Sequence, residues 1–286
     1  LHPTGQAGTL AAMDMTRLKS LLYLPANRAS AIAKARTLVS DAVILDLEDA
    51  VQPDAKPDAR IAAVAAALAG GWGHRALFLR INGVGTPWHD DDLVAAHVDG
   101  FAGVVAPKIE TAAQAAQIVA HAGGRPLLAM IETPGGVLNA PAIAAVPGVA
   151  GLVAGLADLA KALNTGADPE RRPLVYAMSA MVIAARAAGI AVFDGVCTDV
   201  RNEAALRAEA AQARMLGFDG KTLIHPGQVD PCNAVFAPSA ADIAEAQALI
   251  AAYEAALAEG RGVATHKGQL VEVLHVAQAK ALLARL

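Results

Sequence analysis

Two acidic residues stand where apolar runs stop. The run from Leu127 to Ile131 ends in Glu132, and the run from Val149 to Leu156 ends just before Asp158. Runs of this length and composition read as buried strands. If the two strands are parallel neighbours joined by the helix-length interval between them, both carboxylates emerge at the same edge of one sheet. There they can share an oxygen-seeking cation such as Mg²⁺. Each acid also has a plainer use, because Thr133-Pro134-Gly135 and Leu159-Ala160-Lys161 open candidate helices, whose starts favour such residues as caps. On these two positions alone, capping and metal binding both stay open.

The elements that must position these acids recur along the chain. Apolar runs at Ser20 to Leu24, Ala42 to Glu48, Ala76 to Asn82, Gly103 to Lys108, Leu127 to Glu132, Val149 to Leu156, Ala191 to Val196 and Lys221 to His225 alternate with helical stretches. Eight βα units with right-handed crossovers predict an α/β fold, a (β/α)8 or TIM barrel. No G-x-G-x-x-G turn follows the first run, which makes a dinucleotide-binding sheet the weaker competitor. After Pro238 the pattern changes to a long Ala-rich helix from about Ala240 to Glu259, a Gly260-Arg261-Gly262 break and a final helix. The expected organisation is therefore a disordered leader over 1–18, the barrel over 19–238, and a C-terminal helical extension and lid over 239–286.

The C-terminal ends of the strands collect ionisable groups: Asp46 with Glu48, Arg80, Lys108, Glu132, Asp158, Asp194 and His225. A ring of charge at that face is what an active site would leave in the sequence. On the second strand Asp46 and Glu48 share parity, so both look inward if Leu45 and Leu47 meet the helices. An inward Asp46 also has a structural use, pairing with Arg80 or Lys108 to compensate buried charge.

Composition narrows the partners. The 286 residues are 55% hydrophobic but only 3% aromatic, as expected of parallel strands buried under Ala-rich helices. Charged residues and prolines cut every apolar stretch short of the roughly 20 residues that span a bilayer. A net charge of -4, with no basic block, argues against nucleic acid. Cys197 and Cys232 are too few and too far apart for a disulfide framework or a zinc site, which points to a reducing, cytoplasmic setting.

Several stretches resemble the citrate lyase β-subunit-like family of the HpcH/HpaI aldolase superfamily: A-V-I-L-D-L-E-D-A-V (42–51), L-F-L-R-I-N (77–82), V-V-A-P-K-I-E (104–110), M-I-E-T-P-G-G-V (130–137), G-L-A-D-L (155–159) and G-F-D-G-K-T-L-I-H-P-G-Q-V (217–229). The resemblance spans most of the chain. It implies a barrel that makes or breaks carbon–carbon bonds in acyl-CoA thioesters with Mg²⁺, as malyl-CoA and citramalyl-CoA lyases do. By matching position, Glu132 and Asp158 fall on the metal-ligand carboxylates and Arg80 on the arginine facing the substrate's oxygens. Asp46, Glu48 and Asp49 fall on the acidic motif around the metal's waters. Arg28, in L-P-A-N-R, falls where relatives carry an arginine near the CoA phosphates, although P-A-N departs from their P-G-D or P-G-N. A homo-oligomer, most simply a trimer, is implied as well.

The chemistry so implied cleaves a 3-hydroxyacyl thioester into an acyl-CoA and a 2-oxo acid, with charge stabilised at two oxygens and a base for the hydroxyl proton. Relatives supply that base as the Asp of G-x-M-I-D-x-P, reaching into a neighbouring subunit; here the stretch is G-Q-L-V-E-V-L (268–274), with Glu272 in the Asp place. A glutamate keeps the carboxylate on a longer arm, and a catalytic group displaced by about 1 Å can lose on the order of 100-fold. Glu272 is thus either a relocated base or a lid residue that has lost its role. Alternatives to a lyase are a malate-synthase-like or thioesterase activity at the same site, the acyl-lyase subunit of a citrate lyase complex, and a non-catalytic CoA-ligand-binding relative.

Overall fold

Period-two alternation of aliphatic residues builds the barrel, and its two faces can be read from burial. The computed structural model describes residues 13–284. Its strands are β1 (Ser20–Pro25), β2 (Ala42–Asp46), β3 (Ala76–Arg80), β4 (Gly103–Ala106), β5 (Leu127–Ile131), β6 (Val149–Ala154), β7 (Ala191–Asp194) and β8 (Gly220–Leu223). All neighbours are parallel, and β1 pairs with β8 to close the ring in chain order. Around it lie α1 (Ala29–Ala35), α2 (Lys56–Leu68), α3 (His89–Ala95), α4 (Ala112–His121), α5 (Pro134–Ala144), α6 (Leu156–Ala162), α7 (Val175–Ala188) and α8 (Glu203–Leu216). The expected (β/α)8 barrel is present, each strand within a residue or two of its expected start.

One contiguous cluster fills the interior: Leu21 and Tyr23, Ala42 and Ile44, Ala76 and Phe78, Val105, Leu128 and Met130, Val153, Ala191 and Phe193. Two phenylalanines take much of the space because glycines face them. A Cβ on Gly103 would stand 2.8 Å from the Phe78 ring, and one on Gly151 would stand 3.4 Å from the Phe193 ring and 2.9 Å from Leu128. Pairing bulky with small side chains fills a barrel of few aromatics to normal density. The residue two places beyond each inward position is inward too. Asp46, Arg80 and Glu132 therefore follow Ile44, Phe78 and Met130 onto the inner face at the C-terminal mouth.

The same parity corrects the expected ring of charge. Asp194 comes one residue after the inward Phe193 and faces the helices. There it accepts from Arg171 Nη1 at 2.9 Å and from Lys221 Nζ at 2.7 Å, while Lys221 also donates to Glu209 at 2.8 Å. Asp194 and Lys221 are fully buried. His225 is exposed, and its Nδ1 accepts from the Gly227 amide at 3.1 Å, a local turn bond.

The chain divides into two compact units that meet at Cys232 and Asn233, a few residues before the expected boundary at 238. Residues 1–12 of the expected leader lie outside the described residues. The disorder expected up to residue 18 does not hold for its last part, since Met15–Arg17 form a 3-10 turn capped by Asp14, and Met15 and Leu18 join the interior cluster. After α9 (Val229–Phe236), the second unit holds α10 (Ala240–Ala258), the hairpin β9 (Ala264–His266) and β10 (Gln269–Val271), and α11 (Val273–Leu283). Its own core is Ala256, Ala264, Val271 and Val276, with Leu249, Ile250 and Tyr253 packed against them. The hairpin occupies the place where only a Gly260-Arg261-Gly262 break and the start of the final helix are expected from the sequence. Lys267 and Gly268 both take positive φ, 48° and 77°, the turn that joins two antiparallel strands. Among the described residues no helix is long and apolar enough to cross a membrane.

Removing one partner from the Asp194–Lys221–Arg171 cluster strands a buried charge, a loss of about 3–5 kcal/mol. Asp194→Ala should lower the denaturant midpoint accordingly while leaving ligand binding at the far side of the β7 strand unchanged; chemical denaturation followed by circular dichroism measures it.

Candidate active site

Asp46 ends β2 and Arg80 ends β3, and the strand register sets them side by side. Arg80 Nε donates to Asp46 Oδ1 at 2.7 Å and Nη2 to Oδ2 at 2.6 Å, a two-pronged charged pair. The chain turning past β2 completes it: the Glu48 amide donates to Oδ1 at 2.8 Å and the Ala50 amide to Oδ2 at 3.1 Å. Four donors leave Asp46 little capacity for a ligand. Burial alone would lower the Arg80 pKa, but its bonds to Asp46 raise it above the usual range. The remaining nitrogen, Nη1, lies 2.8 Å from Glu48 Oε2 without hydrogen-bond alignment and 3.6 Å from Asp49.

Glu132 follows β5 directly. Thr133 caps α5, accepting from the Gly136 amide at 3.1 Å, so the helix begins at once and needs nothing from Glu132. The Glu132 carboxylate instead accepts from the Lys108 amide at 2.7 Å through Oε1. Lys108 reaches that position with φ of 55°, a left-handed conformation uncommon outside glycine. Its ammonium bonds Glu48 at 3.0 Å. Gly155, which opens α6, allows the arrangement: a Cβ there would collide with the Glu132 Cβ and stand 2.6 Å from its Oε2. Asp158 sits in the first turn of α6, part-exposed, and its carboxylate makes no hydrogen bond or ion pair to a described residue.

Tyr23, Asp46, Asp49, Arg80, Glu132 and Asp158 line one cavity of about 400 Å³, with apolar walls from Met130, Leu156 and Val196. Carboxylates outnumber cations there. Burial, then the Glu48 charge, pushes the Glu132 pKa up to about 7, with Asp158 adding to the rise and the Lys108 amide opposing it. Glu48 is also raised, by burial first, against the pull of Arg80.

No group of three or more His, Cys, Asp or Glu side chains among the described residues is arranged to hold a metal ion. Glu132 and Asp158 nonetheless fit Mg²⁺, which takes one or two carboxylates and keeps waters or substrate oxygens in its other positions. The fit rests on two carboxylates in one cavity, Asp158 without a hydrogen-bond partner among the described residues and Glu132 with a pKa raised chiefly by burial.

The cavity brings together Asp46, Arg80, Glu132 and Asp158, whereas Glu48 lines a neighbouring pocket with Asp49, Lys56 and Lys108. Arg28 is exposed at the start of α1 and does not line it. Glu272 belongs to the second unit, where it precedes α11 and its amide donates to His275 Nδ1 at 3.0 Å. Sequence reasoning missed Tyr23 and left Lys108 off the catalytic set. The V-V-A-P-K motif marked Lys108, but its left-handed backbone had no signal in the residue type.

A closed parallel barrel with paired carboxylates and a clamped arginine at its C-terminal mouth defines a class of α/β-barrel enzyme folds. Residues 19–226 match the HpcH/HpaI aldolase/citrate lyase family, and the chain belongs to it. The chain is similar to a (3S)-malyl-CoA thioesterase of Cereibacter sphaeroides, 43% identical with 93% of this chain and 94% of the relative covered. It is 36% identical to a citrate lyase subunit beta of Leuconostoc mesenteroides, over 91% and 90%. Among solved structures, CitE of Mycobacterium tuberculosis in complex with magnesium, acetoacetate and coenzyme A matches at 31% identity and a TM-score of 0.81, over 95% of this chain and 99% of that one.

The raised Glu132 pKa fixes a sign. A buried carboxyl that prefers its proton stabilises the fold fully below its ordinary pKa of 4.5, and that contribution is lost as the pH rises through about 7. Without added metal, the chain should lose on the order of 3 kcal/mol from this group between pH 5 and 8. Glu132→Gln should flatten that part of the pH–melting curve, and Gly155→Ala, which pushes Glu132 aside, should weaken Mg²⁺ binding about tenfold or more by calorimetry.

Proposed function

We propose that this chain is a Mg²⁺-dependent carbon–carbon lyase acting on a 3-hydroxyacyl-CoA thioester of the malyl-CoA or citramalyl-CoA type, giving an acyl-CoA and a 2-oxo acid. The observation that carries the reading is the joint lining of one cavity by a clamped arginine and two carboxylates suited to a hard cation. Glu132 and Asp158 would hold the ion, and Arg80, immobilised by Asp46, would turn its remaining nitrogen, Nη1, from Glu48 toward the oxygen that becomes negative. Magnesium, when bound, supplies Lewis-acid stabilisation to the oxygens of the 2-oxo acid part, worth several kcal/mol. Glu48 keeps Lys108 and Arg80 in register. Arg28, at the entrance to α1, is assigned to the CoA phosphates.

As the bond between the second and third carbons breaks, the hydroxyl proton leaves for a base and the electron pair passes to the thioester as an enolate, which then takes a proton. Asp46 has its acceptor positions filled, so the base is assigned to Glu272, delivered by a neighbouring copy in a symmetric homo-oligomer, a trimer. Two buried, unpaired cysteines accord with a cytoplasmic protein. A second reading, hydrolysis of the malyl-CoA thioester, is favoured by the 43% identical thioesterase. The same arginine and cation would then polarise the thioester carbonyl for attack by water.

One assay separates the readings. Purified alone and given malyl-CoA with Mg²⁺, the protein should release glyoxylate and acetyl-CoA. Free CoA thiol with malate in their place would replace the lyase with the thioesterase. Neither product would leave a binding role or a requirement for partner subunits. Glu132→Gln and Asp158→Asn should each lose Mg²⁺ affinity with the fold intact, and a monomer in light scattering would overturn the shared site. Glu272→Gln should reduce turnover at least 100-fold with Mg²⁺ and CoA binding retained, because an amide keeps the shape but cannot take a proton. Full activity in that variant would remove Glu272 from the mechanism.

A further inference from the structure

Tyr23, on β1, has no role in the lyase reading, yet its surroundings are unusual. The side chain is 8% exposed, belongs to the barrel-interior cluster beside Ile44 and Met130, and lines the cavity with Arg80, Asp46 and Glu132. The Arg80 guanidinium carbon lies 4.8 Å from the centroid of its ring. The ring alone explains that contact, since the face of a phenylalanine also attracts a cation and fills the same volume. The hydroxyl is the anomaly. Its oxygen is buried and has no hydrogen-bond partner. Leaving a buried polar group unpaired costs about 1–3 kcal/mol.

The charges of Arg80, Asp46, Glu132 and Glu48 all act on this phenol, so it stands within the ionised mouth, but none of their oxygens accepts from it. Asp46 is engaged by two amides and by Arg80, and Glu132 Oε1 by the Lys108 amide. Burial holds the phenol above its ordinary pKa, so at neutral pH it is a donor and not a base. A donor without a protein acceptor, on a residue that walls a cavity, finds its partner when an acceptor enters that cavity.

Resting on the lyase reading, we propose that Tyr23 is a further catalytic residue, whose hydroxyl donates to the same substrate oxygen that Arg80 meets. That oxygen is a carbonyl oxygen in the ground state and turns negative as the carbon–carbon bond breaks. Tyr23 forms and breaks no covalent bond and keeps its proton throughout. Arg80 contributes charge, locked in place by Asp46, and the hydroxyl contributes a second, directional donor. A pair of fixed donors aimed at a developing negative charge is how barrels and other folds stabilise such oxygens, with one donor worth about 10²–10³ in kcat.

The test is Tyr23→Phe, which keeps the ring over Arg80 and removes the hydroxyl alone. With malyl-CoA and Mg²⁺, kcat should fall about 100-fold while KM moves by less than about threefold. The variant should melt at or above the parent's temperature, because an unpaired buried group is gone, and bind Mg²⁺ unchanged by calorimetry. A second readout needs no turnover: acetoacetate should bind the Mg²⁺-loaded variant about threefold to tenfold more weakly than it binds the parent. Parent-like turnover and parent-like acetoacetate binding in Tyr23→Phe would overturn the proposal, and so would a kcat loss accompanied by lost Mg²⁺ affinity or a lower melting temperature. A parent that binds acetoacetate but cleaves no malyl-CoA would overturn the lyase reading, and the binding comparison would still decide the role of Tyr23.

Discussion

Burying Arg80 and Asp46 together strips both of water, and the geometry recovers that cost because nearly every donor and acceptor finds a partner. The guanidinium fork meets the carboxylate on two prongs, and two amides from the turn after β2 fill its other lone pairs. Satisfied in this way, a buried pair is held in one geometry; with one member removed, it becomes an uncompensated charge. The rest of the mouth is arranged around it. Glu48 reaches Arg80 on one side and Lys108 on the other, and the Lys108 backbone turns to hold Glu132. An error in the β2–β3 register of one residue would turn Asp46 and Arg80 onto opposite faces and dissolve this chain of contacts.

Local charge then follows from what Arg80 cannot do. Burial first, and then the Glu48 charge, pushes the Glu132 pKa up to about 7, and one clamped guanidinium and one half-exposed ammonium do not offset it. The neighbour that could neutralise it, Lys108, is drawn to Glu48. A site built with too few cations is destabilised when its acids ionise, and it regains that energy from any hard cation that binds to them. The conformational cost is carried by Lys108 at positive φ and by Gly155, whose missing side chain leaves room for the Glu132 carboxylate.

Much of this was legible in the residues. Apolar runs with chemistry at their ends located eight strands, and period-two parity set Asp46 on the inner face with Arg80 beside it. Parity also explains the failures. Asp194 looked like part of the ring until its strand placed it one residue out of phase, where it serves a buried cluster under the helices. The hairpin over 264–271 escaped notice because two three-residue strands have no periodicity to detect, and a Lys-Gly turn is a weaker signal than Asn-Gly. Tyr23 escaped for another reason: as one more apolar-run residue on β1, it carries no mark of an unpaired hydroxyl, a property that exists only once the barrel closes.

Cleavage and hydrolysis ask nearly the same things of this mouth. Each needs the thioester carbonyl polarised and the acid end of the substrate held, and under the proposed reading Arg80 and the Glu132–Asp158 pair serve both. They part at the proton. Cleavage requires a base at the 3-hydroxyl, whereas hydrolysis requires a water directed at the thioester carbon. Asp46 cannot serve either purpose while its lone pairs are engaged. Glu48 faces Arg80 on one side and Lys108 on the other, and it lines a neighbouring pocket rather than this cavity. Among the described carboxylates of the cavity, Asp49 lies 3.6 Å from Arg80 and is largely exposed, and under the proposed reading the base comes instead from Glu272. Glu272 of the second unit, the base of the proposed reading, stands where the family resemblance implies an aspartate, and its arm is one methylene longer. A longer arm placing the carboxylate past the hydroxyl and near the thioester would turn the same scaffold from breaking carbon bonds to activating water.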